Sequence, residues 1–271
     1  MTARITFSLV LYRHSLVDIV PLLRSIAALA ANVDNQVFLV IYDASPHGFT
    51  IPCVDEIDEA LPGVSLLHQK LKNIGFGSAH NFNFKQLSLS GEDLFVVVNP
   101  DIWFIAQELS PLLYWLQANS HHVSCVSPLI TDESGEIQHS AKQNPTFLSL
   151  LIGRLSILRR LSFFAKYDSW HRNLHEDYRN SCIDSLYLSG SFLVIPSFYY
   201  FMVGGFCPKF FLHLEDADIV RRLSLVGSTV HNPIGKVVHL WARGSHKSLF
   251  QTIHLLHSMF TYFSIWGFRL F

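Results

Sequence analysis

Three acids fall within four residues at Glu215, Asp216 and Asp218, and Arg222 follows one helical turn after the last. Leu214, Ala217, Val220 and Leu223 recur at helical spacing, so the acids belong to the first turn of a helix. The partial positive charge of a helix N-terminus favours carboxylates there. Glu215 and Asp216 are adjacent and point in different directions, so they need not share one task. Asp218 and Arg222, spaced i,i+4, can pair on one face. Two readings of the cluster are open. One is an acid-capped surface helix, since charge clusters are usually solvated. The other starts from the aromatic run just ahead, Pro208 to Leu214, which brings the acids against apolar surface. Such surroundings raise carboxylate pKa values and suit a general base. Two further acids, Asp43 and Asp101, each close an apolar strand-like run.

The elements that must position these acids are legible in the first half. Ile5 to Tyr12, Gln36 to Tyr42, Val64 to His68, Leu94 to Val98 and Val123 to Leu129 read as strands. Leu16 to Ala31, Val54 to Leu61, Ala79 to Leu89 and Ala106 to Asn119 read as helices. This alternation predicts an α/β fold with a largely parallel sheet. Ligands of such sheets bind beyond the carboxyl ends of the strands. Asp43 and Asp101 sit at such ends and are therefore expected to share one crevice.

The second half is less regular. Gly135 to Ala141 suggests a turn and a short strand, and Ile183 to Ile195 a strand around Gly190. Ser197 to Val203 reads as a short helix, and Thr229 to His231 and Lys236 to Trp241 as edge strands. Thr146 to Tyr167 is apolar with Arg154, Arg159, Arg160 and Lys166 interspersed. It fits a basic amphipathic helix at an interface or a core-packing helix with snorkelling arginines. Asp168 to Asn180 reads as a polar, mobile loop. Leu249 to Phe268 lacks Asp, Glu, Lys and Arg, but polar residues interrupt it. It is expected to lie along a membrane or the domain rather than span a bilayer.

Hydrophobic residues make up 49% of the 271 and charged residues only 15%. That proportion predicts apolar surface that meets a membrane or a partner. The net charge of -1 gives no reason to expect nucleic-acid binding. The four cysteines, Cys53, Cys125, Cys182 and Cys207, form no C-x-x-C pair, which argues against zinc-knuckle and thioredoxin-like sites. Buried or free thiols in a reducing cytosol are the expected state. The N-terminus lacks a small-residue cleavage region and reads as a first strand rather than a signal peptide.

Taken in order, the polar landmarks are Asp43, the loop Asn73 to Asn81, Asn99-Pro100-Asp101, Gly190, Gly204-Gly205-Phe206, Glu215 to Asp218 with Arg222, and His239 ahead of Gly244-Ser245. This series resembles the inverting family 2 glycosyltransferases, in particular their bacterial rhamnosyltransferase-like branch, from about Ile5 to Trp266. The resemblance implies a GT-A fold, an α/β architecture with a mixed, mostly parallel sheet. Residues 1–248 would form the transferase domain, with a nucleotide-binding half to about 130 and an acceptor-binding half from 131. Residues 249–271 would be a C-terminal amphipathic helical segment facing a membrane or partner. The implied reaction moves a sugar, such as rhamnose, from a dTDP- or UDP-sugar to a hydroxyl of a glycan or undecaprenyl-linked acceptor. Its implied setting is O-antigen or capsule synthesis, in the cytoplasm and peripheral to the inner face of the membrane.

The resemblance also implies roles. Asp101 matches the acid that holds Mg²⁺ or Mn²⁺, with Asn99 in place of the first acid of a D-x-D-type motif. His239 matches a histidine that completes the metal or diphosphate site. Asp43 matches the acid that contacts the base, and Asn73, Gly75 and Asn81 match a loop near base and ribose. Asp216 matches the catalytic base and Glu215 a group that orients the loop or acceptor. Asp218 and Arg222 would brace the helix. Arg243, Ser245 and His246 would meet phosphates on a closing loop. A dinucleotide fingerprint is absent, because His80 stands where its third glycine is required. A nucleotidyltransferase would need a glycine- and arginine-rich N-terminal phosphate loop, which Ser8 to Ser15 does not offer. A non-catalytic sugar-nucleotide-binding scaffold would have no need of Asp43, Asp101 and Asp216 together.

Overall fold

The computed structural model describes residues 3–46, 57, 59–240 and 249–271. The first half is built from β1 (Ile5–Leu11), α1 (Leu16–Ala30), β2 (Val37–Asp43), β3 (Val64–Lys70), α2 (Phe76–Lys85), β4 (Leu94–Val98), β5 (Ile102–Trp103) and α3 (Ala106–Asn119). β1 is buried almost throughout and pairs in parallel with both β2 and β4, and β2 pairs in parallel with β3. α1 starts at Ser15, whose backbone and hydroxyl both donate to Asp18, an arrangement that fixes the first turn.

The second half supplies β6 (Val123–Thr131), β7 (Ala141–Lys142), α4 (Phe147–Arg154), a 3-10 turn (Ser156–Arg160), α5 (Ser162–His171), β8 (Ile183–Asp184), β9 (Tyr187–Leu188), β10 (Phe192–Pro196), α6 (Ser197–Met202), α7 (Glu215–Leu223), β11 (Ser228–His239) and α8 (Leu249–Trp266). β10 inserts antiparallel between β4 and β6, and β11 lies parallel to β6. Among the described residues this makes a nine-stranded mixed sheet in the order β3-β2-β1-β4-β10-β6-β11-β5, with β8 also on β11. One face of the sheet packs on α1 and α3 through Leu22, Ile26, Leu109 and Leu112. The other packs on α6 and α7 through Tyr199, Tyr200, Ile219 and Val220. Burying an aliphatic side chain of this kind stabilises the fold by about 1.5–3 kcal/mol.

Four expectations are revised. Thr229 to His231 and Lys236 to Trp241 are not separate edge strands. Residues 228–239 form the one strand β11, internal to the sheet, and its register shifts between His231 and Lys236. Pro233 lies in that shift and has no N–H to give the ladder, so the strand reads as two. Thr146 to Tyr167 is not one helix. It breaks at Leu155 and Leu161, and the 3-10 turn between them buries none of its residues. A turn with no buried face has no packing to hold it in a continuous helix. Asp168 to Asn180 is not a free loop. α5 runs into it as far as His171, Tyr178 donates from its hydroxyl to Ala141 O and Arg172 O, and Asn173 donates to Ala141 O. Ile183 to Ile195 divides into β8, β9 and β10, with Gly190 between the last two. Half of the expected helix Val54 to Leu61 falls outside the described residues.

α8 docks on the domain by one face. Ser258 and Tyr262 are buried, and Trp266 donates to Asp218 Oδ1 at 2.9 Å. Among the described residues no helix is long and apolar enough to cross a membrane.

Candidate active site

Asp101 and His239 come together because β5 and β11 pair. Ile102 lies opposite His239, and Leu240 donates to Asp101 O at 2.9 Å. His239 Nε2 then sits 3.2 Å from Asp101 Oδ1. Burial pushes the Asp101 carboxyl up, but His239 outweighs this with help from His14, and the group is held below the usual carboxylate range. Gln138 fixes the imidazole. Its Nε2 donates to His239 O at 2.9 Å, and its Oε1 accepts from His239 Nδ1 at 2.8 Å. The backbone carbonyl can only accept, so the amide orientation is set and the proton is on Nδ1. His239 Nε2 therefore meets the carboxylate oxygen as an N–H donor when the ring is protonated and as a lone pair when it is not. Two acceptors at that distance are stable only with a proton or a cation between them. The chemistry of the donor set thus fits a divalent ion. Among the described residues no third His, Cys, Asp or Glu is gathered there. A hard cation with few protein ligands takes the rest from water and phosphate oxygens. Gln138 was not singled out from the sequence, because its relation to His239 spans 101 positions and no local motif.

Asp216 lies on the other side of the segment Ser189 to Ser191. Asp216 Oδ2 accepts from Gly190 N at 3.0 Å, and Oδ1 accepts from Ala217 N at 2.9 Å. One residue later, Ser191 O accepts from Asn99 N at 2.9 Å, in the turn that carries Asp101. A single short segment therefore ties the acid at the helix start to the acid at the strand end. Gly190 is required: a Cβ there would lie 2.9 Å from Asp216 Cβ. The two residues ahead of α7, His213 and Leu214, both have positive φ, at 71° and 63°. Strain of this kind costs about 1–3 kcal/mol per residue and collects at functional sites.

The two adjacent acids differ in setting. Asp216 is half-buried, whereas Glu215 is buried and its Oε2 has no hydrogen-bond partner among the described residues. Burial, with the Asp216 charge second, pushes the Glu215 carboxyl up to about 8. Asp218 belongs to the scaffold. It accepts from Arg222 at 2.7 and 3.0 Å and from Trp266, which ties α7 to α8.

Asp43 ends β2 and is wholly buried. Its Oδ1 accepts from Ser45 N at 2.9 Å, while Oδ2 has no hydrogen-bond partner among the described residues and lies 3.8 Å from His68. Burial pushes this carboxyl up, but His68 and Ser45 outweigh it and hold it below the usual range. An orphaned carboxylate oxygen suits a donor N–H. Asn73 Oδ1 accepts from Gly75 N at 3.0 Å and shapes the loop into α2. Gly75 has φ +88°, and a Cβ there would meet Phe211 O at 2.5 Å. The Asn73–Gly75 loop is thus pressed against the aromatic run that precedes the acids. Asn81 is not brought into the site. Its Nδ2 donates to Phe206 O, and its Oδ1 accepts from Phe206 N and the Tyr200 hydroxyl, so it clamps the Gly204–Phe206 turn. Arg243, Ser245 and His246 lie outside the described residues.

No family model matches the chain. It is 28% identical over 230 residues to the N-acetylglucosaminyl-diphospho-decaprenol L-rhamnosyltransferase of Mycobacterium tuberculosis, covering 80% of this chain and 70% of that protein. It is 22% identical over 195 residues to the rhamnosyltransferase WbbL of Escherichia coli, covering 69% of each. Its fold matches the crystal structure of GalNAc-T7 with UDP, GalNAc and Mn²⁺ at a TM-score of 0.61 and 13% identity, over 89% of this chain and 44% of the other. The chain thus spans less than half of that enzyme. The chain is a glycosyltransferase of the GT-A fold, similar in sequence to these rhamnosyltransferases. In this glycosyltransferase the segment Ser189 to Ser191 links Asp216 to the turn that carries Asp101, and Glu215 is buried beside Asp216.

Proposed function

We propose that this glycosyltransferase moves rhamnose from a dTDP- or UDP-linked donor to a hydroxyl of an N-acetylglucosaminyl-diphospho-lipid or related glycan in surface polysaccharide synthesis. The observation that carries the reading is the segment Ser189 to Ser191, which joins Asp216 on one side to the turn of Asp101 on the other. Its relatives' names supply the sugar and the class of acceptor.

The residues divide the work. Asp43 offers a free carboxylate oxygen to a base N–H, and Asn73 and Gly75 shape the loop beside it. Asp101 and His239 are the donors for Mg²⁺ or Mn²⁺, which when bound supplies positive charge for the departing diphosphate. Asp216, oriented by Gly190 N and Ala217 N, takes the proton from the acceptor hydroxyl as that oxygen attacks the anomeric carbon. The attack comes from the face opposite the diphosphate, so the anomeric configuration inverts. Glu215 is neutral over much of the working pH range and adds no second negative charge beside the base. Residues 1–248 form the transferase domain in this reading. Segment 249–271 braces Asp218 and turns its outer face to the inner surface of the membrane.

The test is a transfer assay read by mass spectrometry, with dTDP-rhamnose and a short-chain N-acetylglucosaminyl-diphospho-lipid. Wild type is expected to add one deoxyhexose. Asp216→Asn is expected to bind donor and fail to transfer. Full turnover by Asp216→Asn would remove the base assignment, and no transfer by wild type from any nucleotide sugar would remove the reading.

A further inference from the structure

The cavity beside His239 holds more positive charge than the roles above use. Its volume is about 700 Å³, and Lys142, Arg154, Arg159 and Arg172 line it against the single carboxylate of Asp168. Asp168 is already shared, 3.0 Å from Arg159 and 3.5 Å from Arg172. One carboxylate cannot neutralise two guanidiniums: Arg159 engages both of its oxygens, and Arg172 meets only Oδ2. Lys142 Nζ lies 5.0 Å from the centre of the Tyr187 ring and makes no ion pair among the described residues. Burial pushes the Lys142 ammonium below its usual range, and the nearby Asp216 carboxylate opposes that shift.

Unpartnered polar groups line the same cavity. His139 Nδ1, Ser140 Oγ and His171 Nε2 are buried with no hydrogen-bond partner among the described residues. Both histidines are held down at about 4, by burial first and then by the charges of Arg172 and Lys142. Neutral imidazoles beside surplus cations mark a region of positive potential that an anion would relieve. Arginine and lysine together are the usual binders of phosphate oxygens.

The place of the cavity says which anion. It borders His239 and both neighbours of Gly190, so its occupant lies next to Asp216. No residue of the Asp43 or Asn73 end lines it, so it is not the nucleotide's seat. Its outer wall is apolar, with Leu150 of α4 and Leu255 of α8. Those helices and the intervening 3-10 turn expose Phe147, Ile157, Leu256 and Phe260 to solvent, the last at 78%.

We propose that this cavity takes the phosphate or diphosphate that joins the acceptor sugar to its lipid. Lys142, Arg159 and Arg172 hold the phosphate oxygens, and the lipid leaves over the apolar faces of α4 and α8. The assignment rests on the transferase reading above. The acceptor is then an amphiphile read in three parts: sugar at Asp216, anion in the cavity, chain on the apolar surface.

Calorimetric titration with decyl diphosphate, without divalent cation, tests the site apart from the chemistry. Wild type is expected to bind decyl diphosphate more tightly than inorganic pyrophosphate and to ignore neutral decyl glucoside. Lys142→Met and Arg159→Gln are each expected to weaken decyl diphosphate at least tenfold. Arg159 is 39% exposed at its side chain, so its variant keeps the fold if the Lys142 variant does not. Unchanged affinity in Arg159→Gln would overturn the site. So would a loss in Asp101→Ala equal to that in the cavity variants, which would put the anion at the donor's seat. Pyrophosphate binding as tight as decyl diphosphate would overturn the lipid-linked assignment. The two readings fail separately. Wild type that binds decyl diphosphate but transfers no sugar overturns the transferase reading. Wild type that glycosylates a neutral decyl N-acetylglucosaminide as well as its diphosphate-linked counterpart overturns the site.

Discussion

The two sides of the proposed site are built by different means. On the proposed nucleotide side, Asp43 closes β2, where parallel pairing with β1 and β3 fixes its register, and Asp101 lies in the turn between β4 and β5. Their carboxyls stay below the usual range despite burial, because His68 and His239 stand beside them. On the acceptor side, β7, α4, the 3-10 turn and α5 are short, and the strong groups are cations that one carboxylate serves incompletely. On the proposed reading, the difference teaches that donor recognition is a property of strand ends and acceptor recognition a property of the irregular segment 135–172.

Single variants can break this division. The largest effect is expected from Asp216→Asn, which should lower kcat about 1000-fold, the scale of a lost general base. Its KM for donor and for acceptor should move less than about threefold, since a base acts in the transition state; a matching rise in donor KM would merge the two sides. Asp101→Ala should follow, with about a 100-fold loss of kcat/KM and loss of cation-dependent donor binding by thermal shift. Acceptor binding measured without cation should be unaltered. Gln138→Leu tests how His239 is held. It should weaken Mn²⁺ binding about tenfold by paramagnetic resonance, as the loss of a group that orients a ligand does. Unchanged Mn²⁺ affinity would show that His239 needs no fixed tautomer.

The smallest effect concerns Glu215. Its folded pKa is raised, so between its unfolded value of about 4.5 and about 8 the folded state holds the extra proton. Native protein then binds more protons than unfolded, and this group's contribution to stability falls as pH rises through that window. Glu215→Gln removes the titration. The variant's urea midpoint relative to wild type should therefore rise from about pH 5.5 to about pH 8, and a constant difference would show that Glu215 is already ionised.

Much of the nucleotide side was legible in the chain. Continuous apolar, strand-like runs placed Asp43 and Asp101 at strand ends, and the placement of the acids follows from their neighbours in sequence. Asp218 with Arg222 was legible for the same reason, being one helical turn apart. The acceptor side was not. Thr146 to Tyr167 carries a helical pattern, but no partner surface supports one continuous helix there. The cation-lined cavity gathers Lys142, Arg159, Arg172 and His239 from separate elements, and no local period announces such a meeting. Asn81 shows the opposite failure. It stands in the right loop by sequence, and its side chain is spent on Phe206 and Tyr200.

The sequence by itself determined which acids could act and which strands would carry them, because apolar runs and turn chemistry are local. Only the tertiary structure decided which of them meet. Asp101 reached His239 through the pairing of β5 with β11, and Asp216 reached Gly190 across a 26-residue separation. The opening cluster divided for the same reason. Packing buried Glu215, gave Asp218 to Arg222 and Trp266, and left Asp216 beside Gly190, because each carboxylate ends where the surrounding elements leave it a partner.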